Sequence, residues 1–133
     1  MKIIDVQGIG PVYAEKLAKA GIRTTEALLK KGASAEGRSE IEAMTKIGNS
    51  LILEWVNLAD LYRIKGVGSQ YSDLLEEAGV DTVLELSKRV ANNLYAKMQE
   101  INQAKNLVNK MPTLKQTEDW IKQAKKLRRV VTY

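Results

Sequence analysis

Two short segments of this chain, 58 residues apart, have the residue types and spacing best suited to binding chemistry. They are Gly8-Ile9-Gly10 and Gly66-Val67-Gly68, and each stands directly before a predicted helix. The first N–H groups of a helix lack an intrahelical acceptor, and the helix dipole makes that end positive. A glycine hairpin in front of the helix leaves these groups open to an anion, most commonly a phosphate. The sequence therefore predicts two anion sites made of main-chain atoms.

The helices behind these segments belong to a longer internal repeat. Eight residues recur 58 positions later without a gap, namely Gly8, Gly10, Tyr13, Leu17, Ala20, Gly21, Thr24 and Leu28 as Gly66, Gly68, Tyr71, Leu75, Ala78, Gly79, Thr82 and Leu86. Further along, Trp55 returns as Trp120, 65 positions later. One unit of about sixty residues thus occurs twice. We expect two pseudo-repeated units, residues 1–61 and 62–133, packed as one compact domain.

The composition excludes several kinds of chemistry. The chain of 133 residues has no cysteine and no histidine, so disulfides, thiol or imidazole catalysis and the usual zinc ligands are excluded. No P-loop, metal-ligand cluster or nucleophile motif is present, and no apolar stretch approaches the ~20 residues of a membrane span. Residues 1–5 do not have the form of a signal peptide. We therefore expect a non-enzymatic cytoplasmic protein without a cofactor, a membrane association or a small-molecule substrate.

The pattern of apolar residues predicts an all-helical fold, because alternating tracts of Val, Ile and Thr are nearly absent. Residues 11–20 form the first predicted helix, with proline at its first position and Gly21 as the left-handed residue that ends it. Thr24 is expected to cap the next short helix, and residues 32–37 are expected to be a loop. The remaining predicted helices are 39–44, 51–62, 92–110 and one around Trp120.

Cap motifs and two tryptophans refine this prediction. Residues 82–85 and 113–116 have the spacing of capping boxes. The apolar residues of helix 51–62 cover nearly its whole circumference, which indicates a buried central helix. Trp55 and Trp120 lie in mid-helix among aliphatic residues, so we expect both in the core rather than stacked on a ligand.

Several helix ends are predicted from single residues. Ser50 is expected to cap helix 51–62. Just before it, Lys46-Ile47-Gly48 resembles a third Gly-apolar-Gly segment with lysine at the first position. Pro112 is expected to end helix 92–110, and residues 130–133 are expected to be extended.

Parts of the sequence resemble known families. The two Gly-apolar-Gly segments, each with the helix behind it, resemble the helix-hairpin-helix motif. The segments Ala20-Gly21-Ile22-Arg23-Thr24 and Ala78-Gly79-Val80-Asp81-Thr82 are similar to the second half of related N-terminal domains of recombinases and of the C-terminal domain of the bacterial polymerase alpha subunit. Over nearly its full length the chain resembles the DUF4332 family, a bacterial domain family of unknown function. That resemblance is carried by Gly37-Arg38 and by residues 51–61 and 63–68.

The helix-hairpin-helix resemblance implies two units of the SAM-like kind and DNA binding without sequence preference. In that motif, N–H groups of the hairpin contact phosphate oxygens, sometimes with a monovalent cation coordinated by hairpin carbonyls. Carried onto the first segment of this chain, the donors would be the N–H groups of Gly10 and Val12, because Pro11 has none. The corresponding donors of the second segment are Gly68, Ser69 and Gln70.

Cationic side chains would add attraction for a polyanion. The net charge is +5, and residues 97–133 carry nine Lys or Arg against three Asp or Glu. Neutralising backbone phosphates releases counterions, which favours binding, although a solvated helix face would have the same composition. The residues expected to take part are Lys16, Lys19, Arg23 and Lys65 near the hairpins, and Lys122, Lys125, Lys126 and Arg129 as a stripe on the last helix.

The sequence also supports an alternative function, a protein–protein interaction or scaffold domain that keeps the fold without DNA contact. DNA-binding versions of the motif often carry Lys or Arg where this chain has Val12 and Gln70. The helix behind the second hairpin carries Asp73, Glu76 and Glu77, and like charge opposes phosphate binding.

Overall fold

The computed structural model describes residues 1–133, which form eight α-helices, one short 3-10 helix at Ile3–Asp5 and no β-strand. The all-helical class predicted from the sequence is confirmed. The helices are α1 (Pro11–Lys19), α2 (Thr25–Gly32), α3 (Ala35–Thr45), α4 (Asn49–Leu61), α5 (Ser69–Glu77), α6 (Val83–Ser87), α7 (Ala91–Lys105) and α8 (Leu114–Lys126).

The chain divides into two compact units. The first contains Met1–Asp60 together with Val130–Tyr133, and the second contains Leu61–Arg129. The sequence predicted units of residues 1–61 and 62–133. The structure differs in placing residue 61 in the second unit and residues 130–133 in the first.

The last four residues belong to the first unit through main-chain hydrogen bonds. The N–H of Thr132 donates to the carbonyl of Ala33 at 2.8 Å, and Arg38 Nη2 donates to the carbonyl of Thr132 at 2.7 Å. Arg38 is buried, and its Nη1 donates to the carbonyls of Gly32 and Ala33. The segment contains no helix, as expected. Its attachment to the first unit was not predicted, because the partners lie about a hundred positions away in sequence.

Glycine and proline fix the two ends of α1. Gly10 is the N-cap, and Pro11 takes the first helical position, where its missing N–H costs nothing. At the other end, Gly21 has φ +82°, and the N–H of Ile22 donates to the carbonyl of Leu17 at 2.9 Å. This is the 6→1 hydrogen bond of a Schellman motif, which spans more residues than the other bond of that motif. The predicted helix end at Gly21 is confirmed.

A cation binds a carbonyl just beyond the C-terminal end of α1 and of α5. Gly79 follows α5 with φ +90° and the same pattern of hydrogen bonds as at Gly21. Lys31 Nζ donates to the carbonyl of Ala20, and Arg89 Nη2 donates to the carbonyl of Gly79, both at 3.0 Å. A positive charge at a helix C-terminus is favoured by the helix dipole. Two cations are thus used structurally, one in each unit.

The loop predicted at residues 32–37 is wrong, because its two glycines serve helix packing. Gly32 is the last residue of α2, and a Cβ there would lie 2.5 Å from Cγ2 of Val56. Gly37 lies in the first turn of α3, and a Cβ there would lie 2.0 Å from the carbonyl oxygen of Lys31. Only residues 33 and 34 separate the two helices. Glycine marks a turn in most sequences, but here it allows helices to approach closely.

α4 begins two residues earlier than predicted. Ser50 lies inside the helix, so the predicted cap at Ser50 is wrong, and the carbonyl of Gly48 accepts a hydrogen bond from Ile52 at 3.2 Å. Lys46 has φ +63°, so lysine adopts here the left-handed conformation in which glycine is found in the other two segments. Trp55 is 1% exposed, and its predicted place in the core is confirmed.

α7 ends at Lys105, five residues before the predicted end, so Pro112 does not terminate it. Asn106 ends the helix with φ +49°, a left-handed conformation that asparagine tolerates better than most residues. The side chain of Asn102 then holds the following turn. It accepts a hydrogen bond from the N–H of Val108 at 2.9 Å and donates to the carbonyl of the same residue at 3.1 Å.

The two predicted capping boxes differ. Thr113 and Gln116 form a complete box at the start of α8, as expected. At the start of α6, the hydroxyl of Thr82 accepts from the N–H of Glu85 at 3.2 Å, which is only half of a box. The carboxylate of Glu85 pairs instead with Nε of Arg89 at 3.3 Å. The complete capping box predicted at residues 82–85 is therefore wrong, because Arg89, one turn further along, binds the carboxylate of Glu85 instead.

The substitution Gly37→Ala is expected to destabilise the first unit. The added Cβ would displace a main-chain oxygen at the junction of α2 and α3, so the free energy of unfolding should fall by about 2–4 kcal/mol. Urea unfolding followed by circular dichroism measures this change. Ser39→Ala, on the exposed face of the same helix, is the control. Equal stability of the two variants would contradict the packing described here.

Candidate functional site

Each Gly-apolar-Gly segment begins with a tight turn. The turns are closed by a hydrogen bond from the residue after the first glycine, at 3.0 Å to the carbonyl of Val6 and at 3.1 Å to that of Ile64. Gly8 has φ +89° and Gly66 has φ +96°, and the apolar residue between the two glycines is buried in both segments. A positive φ at the third position of a turn strongly favours glycine. The fold therefore accounts for the first glycine of each segment.

The second glycine of each segment has no comparable structural reason. Gly10 has φ −87° and ψ 179°, and Gly68 has φ −103° and ψ −168°, which are extended conformations that other residues adopt easily. A Cβ built at either position meets no atom within 4 Å. The protein itself therefore does not require glycine at these two N-caps.

The N–H groups predicted to bind an anion have no acceptor within the protein. Those of Gly10 and Val12 at α1, and those of Gly68, Ser69 and Gln70 at α5, take part in none of the hydrogen bonds of the structure. An open recess of about 400 Å³ lies against the second segment, and its walls include all three of the second set. Both helix starts thus present several main-chain donors to the surface.

Other helices of this chain satisfy the same kind of donors with a side chain. Thr24, Ser34, Thr82 and Thr113 cap α2, α3, α6 and α8, each accepting a hydrogen bond from the N–H three residues later. No side chain caps α1 or α5. The predicted cap at Thr24 is confirmed. α7 also begins without a side-chain cap, at Val90, so α1 and α5 are distinguished by a glycine N-cap behind a glycine turn.

The first helix start has cations along one exposed face. Val12, Lys16 and Lys19 lie on that face, because positions i, i+4 and i+7 coincide on a helix, and all three are exposed. Lys16 therefore stands one turn, about 6 Å along the axis, from the N–H of Val12. Lys19 pairs with Glu15 at 3.6 Å, but both side chains are more than two-thirds exposed, so the pair contributes little. Arg23 is also exposed and follows the end of α1.

The second hairpin is held by a side chain that the sequence analysis missed. Gln123 of α8 accepts from the N–H of Lys65 at 2.9 Å and donates to the carbonyl of Lys65 at 3.1 Å. It also donates to Oδ2 of Asp119 at 2.9 Å, so α8 brings a carboxylate as well as an amide to this hairpin. Arg63, which precedes it, donates to the carbonyl of Arg128 at 2.8 Å. No sequence pattern marks a glutamine within a basic helix for this role.

The helix behind the second hairpin is acidic, as predicted. Burial, and then the charge of Glu77, raise the pKa of Asp73 above its ordinary value, while Lys105 opposes the shift. Glu77 itself pairs with Lys105 Nζ at 2.6 Å. Glu76 is engaged within the protein too. Part of this negative charge is therefore offset by the protein's own cations, but α5 offers no cation corresponding to Lys16.

The basic stripe predicted on the last helix is shorter than expected. Lys122, Lys125 and Lys126 are exposed on α8. Arg129 lies beyond the helix, which ends at Lys126, because Leu127 takes an extended conformation with φ −90° and ψ 144°. The prediction that all four cations share one helical face is therefore wrong at its last member.

Two core tryptophans contact the glycine segments. Nε1 of Trp55 lies 3.6 Å from the position that a Cβ of Gly8 would take, and Nε1 of Trp120 lies 3.1 Å from the corresponding position at Gly66. Both tryptophans are at most 2% exposed, so their predicted place in the core is confirmed. Their contact with the hairpins was not predicted, because 47 and 54 residues separate each tryptophan from its glycine.

Comparison with known proteins identifies a family. None of the helices has the length and apolar character needed to cross a lipid bilayer. Searches of curated proteins and of solved structures find no match to the chain. The sequence profile of the family described as "Domain of unknown function (DUF4332)" matches residues 7–127, a span that includes α1 to α8 and both hairpins. Since this match covers most of its length, the chain belongs to the DUF4332 family.

Proposed function

We propose that this protein binds nucleic acid, specifically DNA, without sequence preference and without catalysis. In this proposal the two glycine segments and their helices are helix-hairpin-helix units. The free N–H groups at the starts of α1 and α5 donate to backbone phosphate oxygens, which position a protein on DNA without reading its sequence. The observation that carries the proposal is the presence of glycine at positions 10 and 68, where the fold does not require it.

Access for a ligand explains these two glycines better than stability does. Serine at an N-cap is somewhat more stabilising than glycine, and glycine also adds conformational freedom to the unfolded chain. A serine at Gly10 or Gly68 would accept hydrogen bonds from the same N–H groups and stand in the space in front of them. Glycine leaves both the donors and that space available to a phosphate.

The electrostatic surroundings favour the first hairpin. Lys16 is exposed one turn from the donors of α1, and a cation near a phosphate adds attraction that salt screens. At the second hairpin, Lys65 is exposed, but Asp73 lies on α5 and Asp119 reaches the hairpin through Gln123. The proposal therefore assigns the stronger phosphate contact to the first unit, with Arg23 and the cations of α8 as general electrostatic support.

Binding of a mixed-sequence duplex should weaken steeply as salt concentration rises, because each phosphate contact releases counterions. Replacing Lys16 and Lys19 together by Glu should weaken binding at low salt on the order of tenfold and reduce the salt dependence. Fluorescence anisotropy of a labelled duplex measures both effects. Lys30→Glu with Lys97→Glu makes the same change in net charge away from α1 and serves as control. If duplex, junction and single-stranded DNA all fail to bind at low salt, the proposal is wrong.

The substitution Gly10→Ser should have opposite effects on stability and binding. The serine hydroxyl would cap α1 and raise the free energy of unfolding by about 0.5–1 kcal/mol. It would also occupy donors that the proposal assigns to phosphate, so duplex affinity should fall. Thermal unfolding and anisotropy on the same variant test both directions. Val90→Ser, which adds the same capping hydroxyl at the uncapped start of α7, is the matched control and should leave affinity unchanged.

One observation favours the alternative, a protein-interaction domain. The exposed positions at the start of α5 carry Gln70 rather than a cation, and Asp73 lies one turn from the free donors. A carboxylate there opposes phosphate and would suit a partner that brings a cation. This argument against phosphate binding applies only to the second unit. If only the first unit binds DNA, the second would serve as the protein-interaction unit.

The substitution Asp73→Asn should stabilise the protein at neutral pH. The pKa of Asp73 is raised in the folded protein, so the folded state holds this proton more tightly than the unfolded state does. The ionised carboxylate therefore costs stability above the raised pKa and costs nothing well below the ordinary value of 3.8. The gain from Asp73→Asn should be full at pH 7 and disappear as the pH falls below that value. Urea unfolding at several pH values measures it, with Asp81→Asn as control, and a gain that grows toward acid would contradict it.

A further inference from the structure

We infer that the indole N–H groups of Trp55 and Trp120 are additional hydrogen-bond donors of the two hairpins and bind an anionic oxygen of the DNA backbone. The inference rests on the proposed function and extends it from main-chain donors to one side chain in each unit. It assigns a binding role to two residues that the fold alone places in the core.

Each tryptophan is almost fully buried, and its N–H lies in the small part that is exposed. Trp55 is 1% exposed and Trp120 is 2% exposed. Neither indole nitrogen takes part in any hydrogen bond of the structure. Every fully buried side-chain nitrogen or oxygen, by contrast, has a hydrogen-bond partner. The two statements agree only if each indole nitrogen reaches the surface. The little of each side chain that is exposed therefore includes its donor.

The donor reaches the surface at the glycine hairpin. Nε1 is the nearest atom to the missing side chain of the first glycine in both units, at 3.6 Å from Gly8 and 3.1 Å from Gly66. Both of these glycines are exposed. They precede by two residues the N-cap glycines, whose N–H groups are also without an acceptor. Each hairpin thus has main-chain donors on its own residues and a side-chain donor that a distant residue brings against its first glycine.

Tyrosine holds the indole in this orientation in each unit. The ring of Tyr13 meets that of Trp55 at 5.1 Å between centroids and 61° between planes. The rings of Tyr71 and Trp120 meet at 5.4 Å and 50°, and the hydroxyl of Tyr71 is anchored to the carbonyl of Lys110 at 2.9 Å. Such packing fixes the ring beyond simple burial. The donor therefore keeps its direction before any ligand arrives.

An anionic oxygen is the ligand class that suits this set of groups. The groups left without a partner here are N–H donors, and a donor whose partner is ionised forms a stronger hydrogen bond than one with a neutral partner. A cation suits these groups less well, because the partial positive charge of an N–H donor repels it. A phosphate oxygen accepts from several N–H groups at once.

The test uses nuclear magnetic resonance of the ¹⁵N-labelled full chain, which has only two tryptophans and so only two indole N–H signals. Trp55→Phe and Trp120→Phe assign them. A short mixed-sequence duplex is titrated at low salt, and the indole signals are followed together with the main-chain signals of Gly10 and Gly68. The inference expects an indole signal to shift and to saturate at the same duplex concentration as the glycine of its own hairpin.

The variants add a quantitative arm. Trp55→Phe, which removes the N–H and keeps an aromatic ring, should weaken duplex binding about threefold to tenfold, the effect of one lost hydrogen bond. Tyr13→Phe keeps the indole N–H and an aromatic ring packed against the indole, so this variant should bind duplex as the unmodified protein does. Thermal unfolding of both variants shows whether they are folded at the temperature of the binding measurement. If Trp55→Phe is not folded there, the titration of the unmodified protein decides.

The outcomes separate this inference from the proposed function. If the hairpin glycine signals shift with duplex while both indole signals stay in place, DNA binding holds and the role of the indoles is overturned. If duplex does not bind, both are overturned. Indole and glycine signals that shift together, with weaker binding by Trp55→Phe and unchanged binding by Tyr13→Phe, support the inference.

Discussion

The proposed phosphate contacts depend on main-chain N–H groups that the fold leaves without an acceptor. A helix always begins with such groups, and most helices satisfy them with a capping side chain or water. In this chain α2, α3, α6 and α8 use serine or threonine, whereas α1 and α5 begin at glycine with their donors open. The turn at Gly8 or Gly66 fixes where each helix begins, and it thereby determines where the donors point.

The two helix starts share these donors but differ in the side chains around them. α1 places Lys16 on the same face as its free N–H groups, while α5 places a half-buried carboxylate, Asp73, one turn away. Main-chain geometry alone would give the two sites equal affinity for an anion. Under the proposed function, any difference between them comes from the surrounding charges, which salt screens, so a higher ionic strength should bring the two affinities closer together.

The sequence predicted the helical class, the caps at Thr24 and Thr113 and the helix end at Gly21, because each of these follows from local chemistry. The sequence-based prediction was wrong at Gly37, where glycine allows two helices to pack closely, and at Asn106, where asparagine rather than proline ends a helix. In both cases the cause lies in contacts or conformations that residue type alone does not specify. The same limit applies to the candidate site. Its main-chain donors were predicted from spacing, but Gln123 and the two indoles come from distant positions in sequence.

The two glycines of each hairpin have different structural explanations. This difference bears on whether the hairpin binds a ligand or only maintains the fold. The first glycine has a positive φ and would be strained by a side chain, so it would be kept by any protein with this turn. The second has an ordinary conformation and free space around it. A domain selected only for stability would gain from a capping residue at that position, as α2, α3, α6 and α8 do. Under the proposed function, glycine at this position in both units lets a phosphate approach the main chain closely, and an oxyanion suits the exposed donors.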